Sequence, residues 1–117
     1  MTTQDIASRL VELCRSGHFE AAQAELYAQD AESFEPEQAQ LQYAKGLEAI
    51  KAKGDQFQSM VEETHGGYVT DPVIAGNQIA LGMGMDVTMK GMGRMNMEEI
   101  VVYKVADGKI VSETFIY

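Results

Sequence analysis

Three glutamates stand where the pattern of this chain can aim an acid at an apolar surface. Glu35 lies directly before Pro36, and Glu98 and Glu113 fall in the β-branched, glycine-punctuated stretch from Gly76 to Tyr117. Carboxyls gathered in an apolar pocket resist ionisation, because burial disfavours the charged form and neighbouring like charges repel. In such a set, one group can take a proton from the carbon beside a carbonyl. A neutral partner then donates a hydrogen bond to the forming enolate. Each acid also has a plain structural reading: Glu35 as a solvated edge residue, Glu98 at a sheet rim, Glu113 paired with Lys104 or Arg94. His65, before Gly66-Gly67, either caps the last carbonyls of a helix or serves the rim of the pocket. With no HxH, HxxxH or cysteine pair, no metal site is expected. No nucleophile elbow, P-loop or dinucleotide fingerprint occurs, so no cofactor is expected either.

The elements that must position these acids are three antiparallel strands. Asp107-Gly108 between Val101–Val105 and Ile110-Val111 is a strong two-residue hairpin signal, and Met92-Gly93 is read as a second turn. That register pairs Val102 with Glu113, Ile100 with Phe115 and Glu98 with Tyr117, and places Val87 opposite Glu98. Side chains alternate with period two, so one face is expected to carry Met83, Met85, Val102, Phe115 and Tyr117 with Glu98 and Glu113. Six of the eight methionines lie between residues 83 and 97. Their adaptable thioethers suit either a pocket for varied apolar molecules or an ordinary core. The other face, with Gly82, Gly84, Glu99, Val101, Tyr103, Thr114 and Ile116, is expected to meet a partner subunit.

Ahead of the meander, Thr2 with Asp5 reads as a helix cap, followed by an apolar stripe of Ile6, Leu10, Leu13 and Cys14. Cys14 is therefore expected to be a buried structural thiol. A second helix runs from Phe19 through Tyr27 to about Asp30, and Ala31–Pro36 is expected to form a short edge strand. Leu47, Ile50, Phe57 and Val61 mark the longest amphipathic helix, lying across the sheet with Phe57 toward the pocket. Gly54 inside that helix suggests a close approach by another element. His65-Gly66-Gly67 breaks the pattern, and Tyr68–Ala75 reads as a strand interrupted by Pro72. Helices ahead of an antiparallel sheet make the fold α+β, in one domain over residues 1–117.

A formal charge of −9 and a pI near 4.5 exclude nucleic acid and anionic membrane surfaces as partners, both of which demand basic patches. No apolar run approaches a membrane span. The first residues lack the basic and apolar regions of a signal peptide, so the expected compartment is the cytoplasm.

The stretches Gly17-His18-Phe19, Leu26-Tyr27-Ala28-Gln29-Asp30-Ala31, Gly46–Ile50 and Asp107–Val111 resemble the SnoaL-like branch of the nuclear-transport-factor-2-like superfamily. The resemblance covers nearly the whole chain. It implies a cone-shaped α+β roll whose curved, cystatin-like sheet wraps the long helix around a pocket, and a homodimer joined through the sheet. The superfamily includes polyketide cyclases and ketosteroid isomerases. In the isomerase branch an acid before a proline is the general base, the position of Glu35. A second acid comes from the strand holding Glu98 and Glu99. The phenol of that branch comes from the first helix, where this chain has Leu10, Leu13 and Cys14. Two functions follow: cofactor-free acid/base chemistry (isomerase, cyclase or hydratase) on an apolar carbonyl compound, or non-catalytic binding of a hydrophobic small molecule.

Overall fold

The cap expected at Thr2 forms in the computed structural model, which describes residues 1–117. The Thr2 hydroxyl accepts from the Asp5 amide at 3.1 Å, and the Asp5 carboxylate accepts from the Thr2 amide at 3.0 Å. Helix α1 (Thr3–Arg15) then buries Ile6, Leu10, Leu13 and Cys14, each large aliphatic side chain contributing roughly 1.5–3 kcal/mol by leaving water. Helix α2 spans Phe19–Leu26 and gives way at Tyr27 to strand β1 (Tyr27–Phe34). The local helical pattern there loses to sheet pairing, because Tyr27 lies opposite Ile110. Strand β2 (Tyr43–Lys45), helix α3 (Leu47–Met60) and strands β3 (Val61–Val69) and β4 (Val73–Ala75) follow. The long strands β5 (Gln78–Met89), β6 (Gly93–Ala106) and β7 (Lys109–Ile116) close the chain. Helix α3 stops at Met60, short of the expected end, and His65 therefore sits in a strand and caps no helix.

The sheet runs β2-β1-β7-β6-β5-β3, with β4 also on β5. All pairings are antiparallel except β1 with β7. Strand β1 is thus interior to the sheet, not an edge. The helices pack on one face of the curved sheet in an α+β roll. The core joins α1 to the inner residues Ile79, Leu81, Val101, Tyr103 and Ile110.

Two departures from the expected register decide which acids face inward. The β5–β6 hairpin turns on three residues, Lys90-Gly91-Met92, with Gly91 at φ +76° and Met89 opposite Gly93. Met85 therefore pairs with Met97 and Met83 with Glu99. The register moves by an odd number of residues, so every β6 side chain changes face. At the other hairpin, Asp107 and Gly108 both take positive φ, as a type I′ turn requires. A bulge beyond Ile110 then shifts the pairing, setting Tyr103 opposite Glu113 and Val101 opposite Phe115. The bulge keeps Glu113 and Phe115 on the inner face.

The glycines of the outer face are also not free for a partner. The Tyr68 ring lies over Gly84 and Thr70 lies over Gly82. Nearby, a Cβ on Gly67 would stand 2.6 Å from the Gly84 carbonyl oxygen, whereas a Cβ on Gly54 meets nothing within 4 Å, so no close approach explains Gly54. We predict that Gly67→Ala lowers stability by about 1–3 kcal/mol, because the obstructing atom is backbone. Gly54→Ala raises it by up to about 1 kcal/mol through helix propensity. Urea unfolding of both variants checks this; a neutral Gly67→Ala would refute the strand contact.

Candidate functional site: an acid–phenol cavity under the long helix

The inner face of the sheet, α1 and α3 enclose an open cavity of about 1390 Å³. Its floor is built on one rung of the sheet, where Ser33, Glu113 and Tyr103 are direct neighbours across β1, β7 and β6. Glu113 is only 3% exposed. The Tyr27 hydroxyl donates to its Oε1, and the Ser33 hydroxyl donates to its Oε2 at 2.6 Å. Both oxygens are thereby committed, which suits Glu113 to holding the floor together better than to exchanging protons. Lys53, from α3, donates to the Ser33 Oγ at 2.6 Å and lies over the Phe115 ring, 4.6 Å from its centre.

Glu35 stands one residue beyond β1. Its amide donates to the Gln42 carbonyl at 2.9 Å, prolonging the β1–β2 pairing, and Pro36 turns the chain away. The Glu35 carboxylate accepts from the Tyr117 hydroxyl at 3.3 Å and lies 3.7 Å from the Lys53 ammonium. Burial pushes its pKa up, opposed by Lys53 and the Tyr117 hydroxyl.

Glu99 occupies the same face of β6 as Val101 and Tyr103, opposite Met83. No protein hydrogen bond or close ion pair holds its carboxyl. Burial, reinforced by the charges of Glu35 and Glu113 and opposed by Lys53, pushes its pKa up to about 7. Three phenols complete the surroundings. Tyr27 and Tyr103 are buried, their ionisation raised well beyond the ordinary range by burial and then by Glu113. Tyr117 is pushed up to about 12 by burial and Glu35. The Cys14 thiol, also pushed up to about 12 by burial, is inert at neutral pH, the structural role expected of it.

Of the residues expected from the sequence, the cavity brings together Glu35, Glu113, Phe57, Met83, Met85, Phe115 and Tyr117. Glu98 borders the cavity, but alternation turns its carboxylate outward, where it accepts from the Tyr68 hydroxyl. Val102 is also turned outward, away from the cavity lining, because its strand is reversed relative to the expected register. His65 lies outside the lining; its Nε2 is 2.7 Å from the Thr88 Oγ1 on β5. Glu99, Tyr103, Tyr27, Ser33 and Lys53 were not anticipated. The first two follow from the reversed strand. Tyr27 and Tyr103 bring phenols to the cavity from β1 and β6, although α1 has none. Lys53 lies on the α3 face with Ile50 and Phe57, a signal already present in the 3.6-residue period.

A pH dependence follows from Glu99. Its folded pKa of about 7 lies above the ordinary 4.5, so the folded state holds this proton where the unfolded chain has lost it. The stabilisation is complete below about 4.5 and is lost as pH rises to about 7. We predict that Glu99→Gln removes this loss. The melting temperature of the variant should gain on that of wild type between pH 5 and pH 8, and a constant difference would place the carboxyl in water.

The relatives of the chain agree with this architecture. A protein of Mesorhizobium loti, described as a candidate SnoaL-like polyketide cyclase (carbohydrate phosphatase), is 36% identical over 100% of both chains, with a TM-score of 0.94. A protein of Catenulispora acidiphila with a ketosteroid-isomerase-like fold, in complex with trimethylamine, is 19% identical with a TM-score of 0.75. That match covers 99% of this chain and 87% of the other. TerC, co-crystallised with polyporic acid, is 14% identical with a TM-score of 0.76, covering 98% and 90%. No curated protein matches, and no helix is long and apolar enough to cross a membrane. The model of the SnoaL-like domain matches residues 1–117, and the chain belongs to that family.

Proposed function

We propose that the protein binds an apolar carbonyl compound in this cavity and moves a proton on it without a cofactor, as an isomerase, cyclase or hydratase. The observation that carries this reading is Glu99: an unpaired carboxyl on an apolar, methionine-bearing wall, with a pKa of about 7. A base titrating near neutrality combines a useful ionised fraction with real basicity. Glu99 takes the proton from the carbon beside the carbonyl and returns it elsewhere on the same molecule. The charge that develops on the oxygen is met at the floor by the Lys53 ammonium, which has N–H groups beyond the one given to Ser33. The resemblance to the isomerase branch suggests Glu35 as base. Its ammonium neighbour suits it better to the oxygen end of the reaction, leaving Glu99 to the carbon. Two neighbours of this fold crystallised with small organic molecules, which supports a small-molecule ligand for this chain as well.

The competing reading is a binder without turnover, favoured by the full commitment of Glu113 to Tyr27 and Ser33. Deuterium exchange at the carbon beside the carbonyl of 1-tetralone, followed by NMR, separates the two. As an enzyme, the wild type accelerates exchange along a pH profile that rises and levels off above about 7. Glu99→Gln loses roughly 10²–10⁴-fold. Binding of the ketone with no acceleration at any pH would leave only the binder.

A second copy of this chain is the proposed partner on the outer face of the sheet. Ile100 and Ile116, 51% and 53% exposed, lie directly opposite each other on β6 and β7. Val101 and Tyr103 contribute nothing there, since both are buried on the inner face. The Ile100→Lys, Ile116→Lys double variant should run as a monomer and the wild type as a dimer in sedimentation. A wild-type monomer would end this proposal.

A further inference from the structure

Lys53 and Glu35 lie beside each other in the cavity lining, with hydrogen-bonding capacity left over on both. The Lys53 ammonium has three N–H groups. One is spent on Ser33 and the Phe115 ring lies beneath the group, so at least one has no oxygen acceptor. The Glu35 Oε2 is buried and has no hydrogen-bond partner at all. The two groups lie 3.7 Å apart, an ion-pair separation but too long for a hydrogen bond. Both side chains are largely shielded from solvent, 18% and 16% exposed. A buried acceptor left without a partner loses its hydration with nothing in exchange.

We propose that this gap is a hydroxyl site: a neutral ligand hydroxyl, enolic, phenolic or alcoholic, accepts from the Lys53 ammonium and donates to the Glu35 carboxylate. The choice follows from what each chemical group could satisfy. A ketone oxygen accepts from Lys53 but leaves the Glu35 oxygen unpaired. An ammonium would serve Glu35 but meet Lys53, and a carboxylate would meet the charges of Glu35 and Glu99. A hydroxyl alone is both donor and acceptor on one atom. The site deepens the reading above, on which it rests. Removal of the carbon-bound proton by Glu99 leaves an enolate, and a Glu35 that enters the step as the acid passes its proton to that oxygen, ending as the carboxylate that accepts from the enol hydroxyl while Lys53 donates to it. Ser33 fixes Lys53 in turn, and Glu113 fixes Ser33, so the floor positions the ammonium.

The test uses two probes of nearly equal shape, 2-naphthol and 2-methoxynaphthalene, titrated by fluorescence against a chain that has no tryptophan. Wild type should bind the naphthol at least tenfold more tightly than its methyl ether, and Lys53→Met and Glu35→Leu should each collapse that preference. Equal affinities in wild type would overturn the hydroxyl site while leaving the apolar pocket standing. Failure of both probes to bind would remove the pocket reading and this proposal together. A preference that survives in both variants would place the hydroxyl elsewhere. If either variant fails to fold, the wild type with ¹⁵N-labelled lysine gives the same answer. The naphthol should shift one lysine ammonium signal and the ether none, and any other pattern counts against the site.

Discussion

The buried carboxylate of Glu113 is the constraint on which the cavity depends. It receives the hydroxyls of Tyr27 and Ser33 from β1 and, through Ser33, the ammonium of Lys53 from α3. One side chain thus links the parallel β1–β7 pairing to the helix that roofs the cavity. A buried charge left without these partners would cost several kcal/mol. The arrangement therefore requires the strand order seen: β7 must lie beside β1, and Tyr27 must open a strand rather than end a helix. With Glu113 satisfied on both oxygens, Glu99 and Glu35 are the inner-face acids left with hydrogen-bonding capacity to spare.

The contrast between these acids illustrates how a fold separates roles among identical side chains. Glu113 sits deepest but is fully solvated by protein hydroxyls. Glu35 has an ammonium near one oxygen and a phenol near the other. Glu99 has neither, and faces Met83 on the neighbouring strand. Desolvation without compensation is what moves a carboxyl toward neutrality, so the half-buried acid without partners, not the most buried one, is left poised between its two protonation states.

Much of the fold was legible because it rests on strong local signals: the Thr2 cap, the apolar stripe of α1, the type I′ turn at Asp107-Gly108. The site was legible only where it hung on those signals. Glu113 and Phe115 were placed on the correct face, but through a pairing that the bulge beyond Ile110 replaces. Glu98 and Glu99 exchanged places because Gly91-Met92-Gly93 supports two turn lengths of different parity, and local sequence does not decide between them. Tyr27 belonged to a helical pattern by composition, and only its partner eighty-odd residues away makes it a strand residue. Nonlocal pairing, not residue propensity, is what sequence reading lacked here.

The methionine wall has a chemical consequence of its own. Met60 and Met97 are exposed and border the cavity, with Met85 paired directly to Met97. A thioether converted to its sulfoxide gains a polar, strongly accepting oxygen. Oxidants reaching Met60 and Met97 would thus make an apolar surface polar. The most adaptable side chains of this wall are thus also its most perishable, and reductive repair of sulfoxides would restore it.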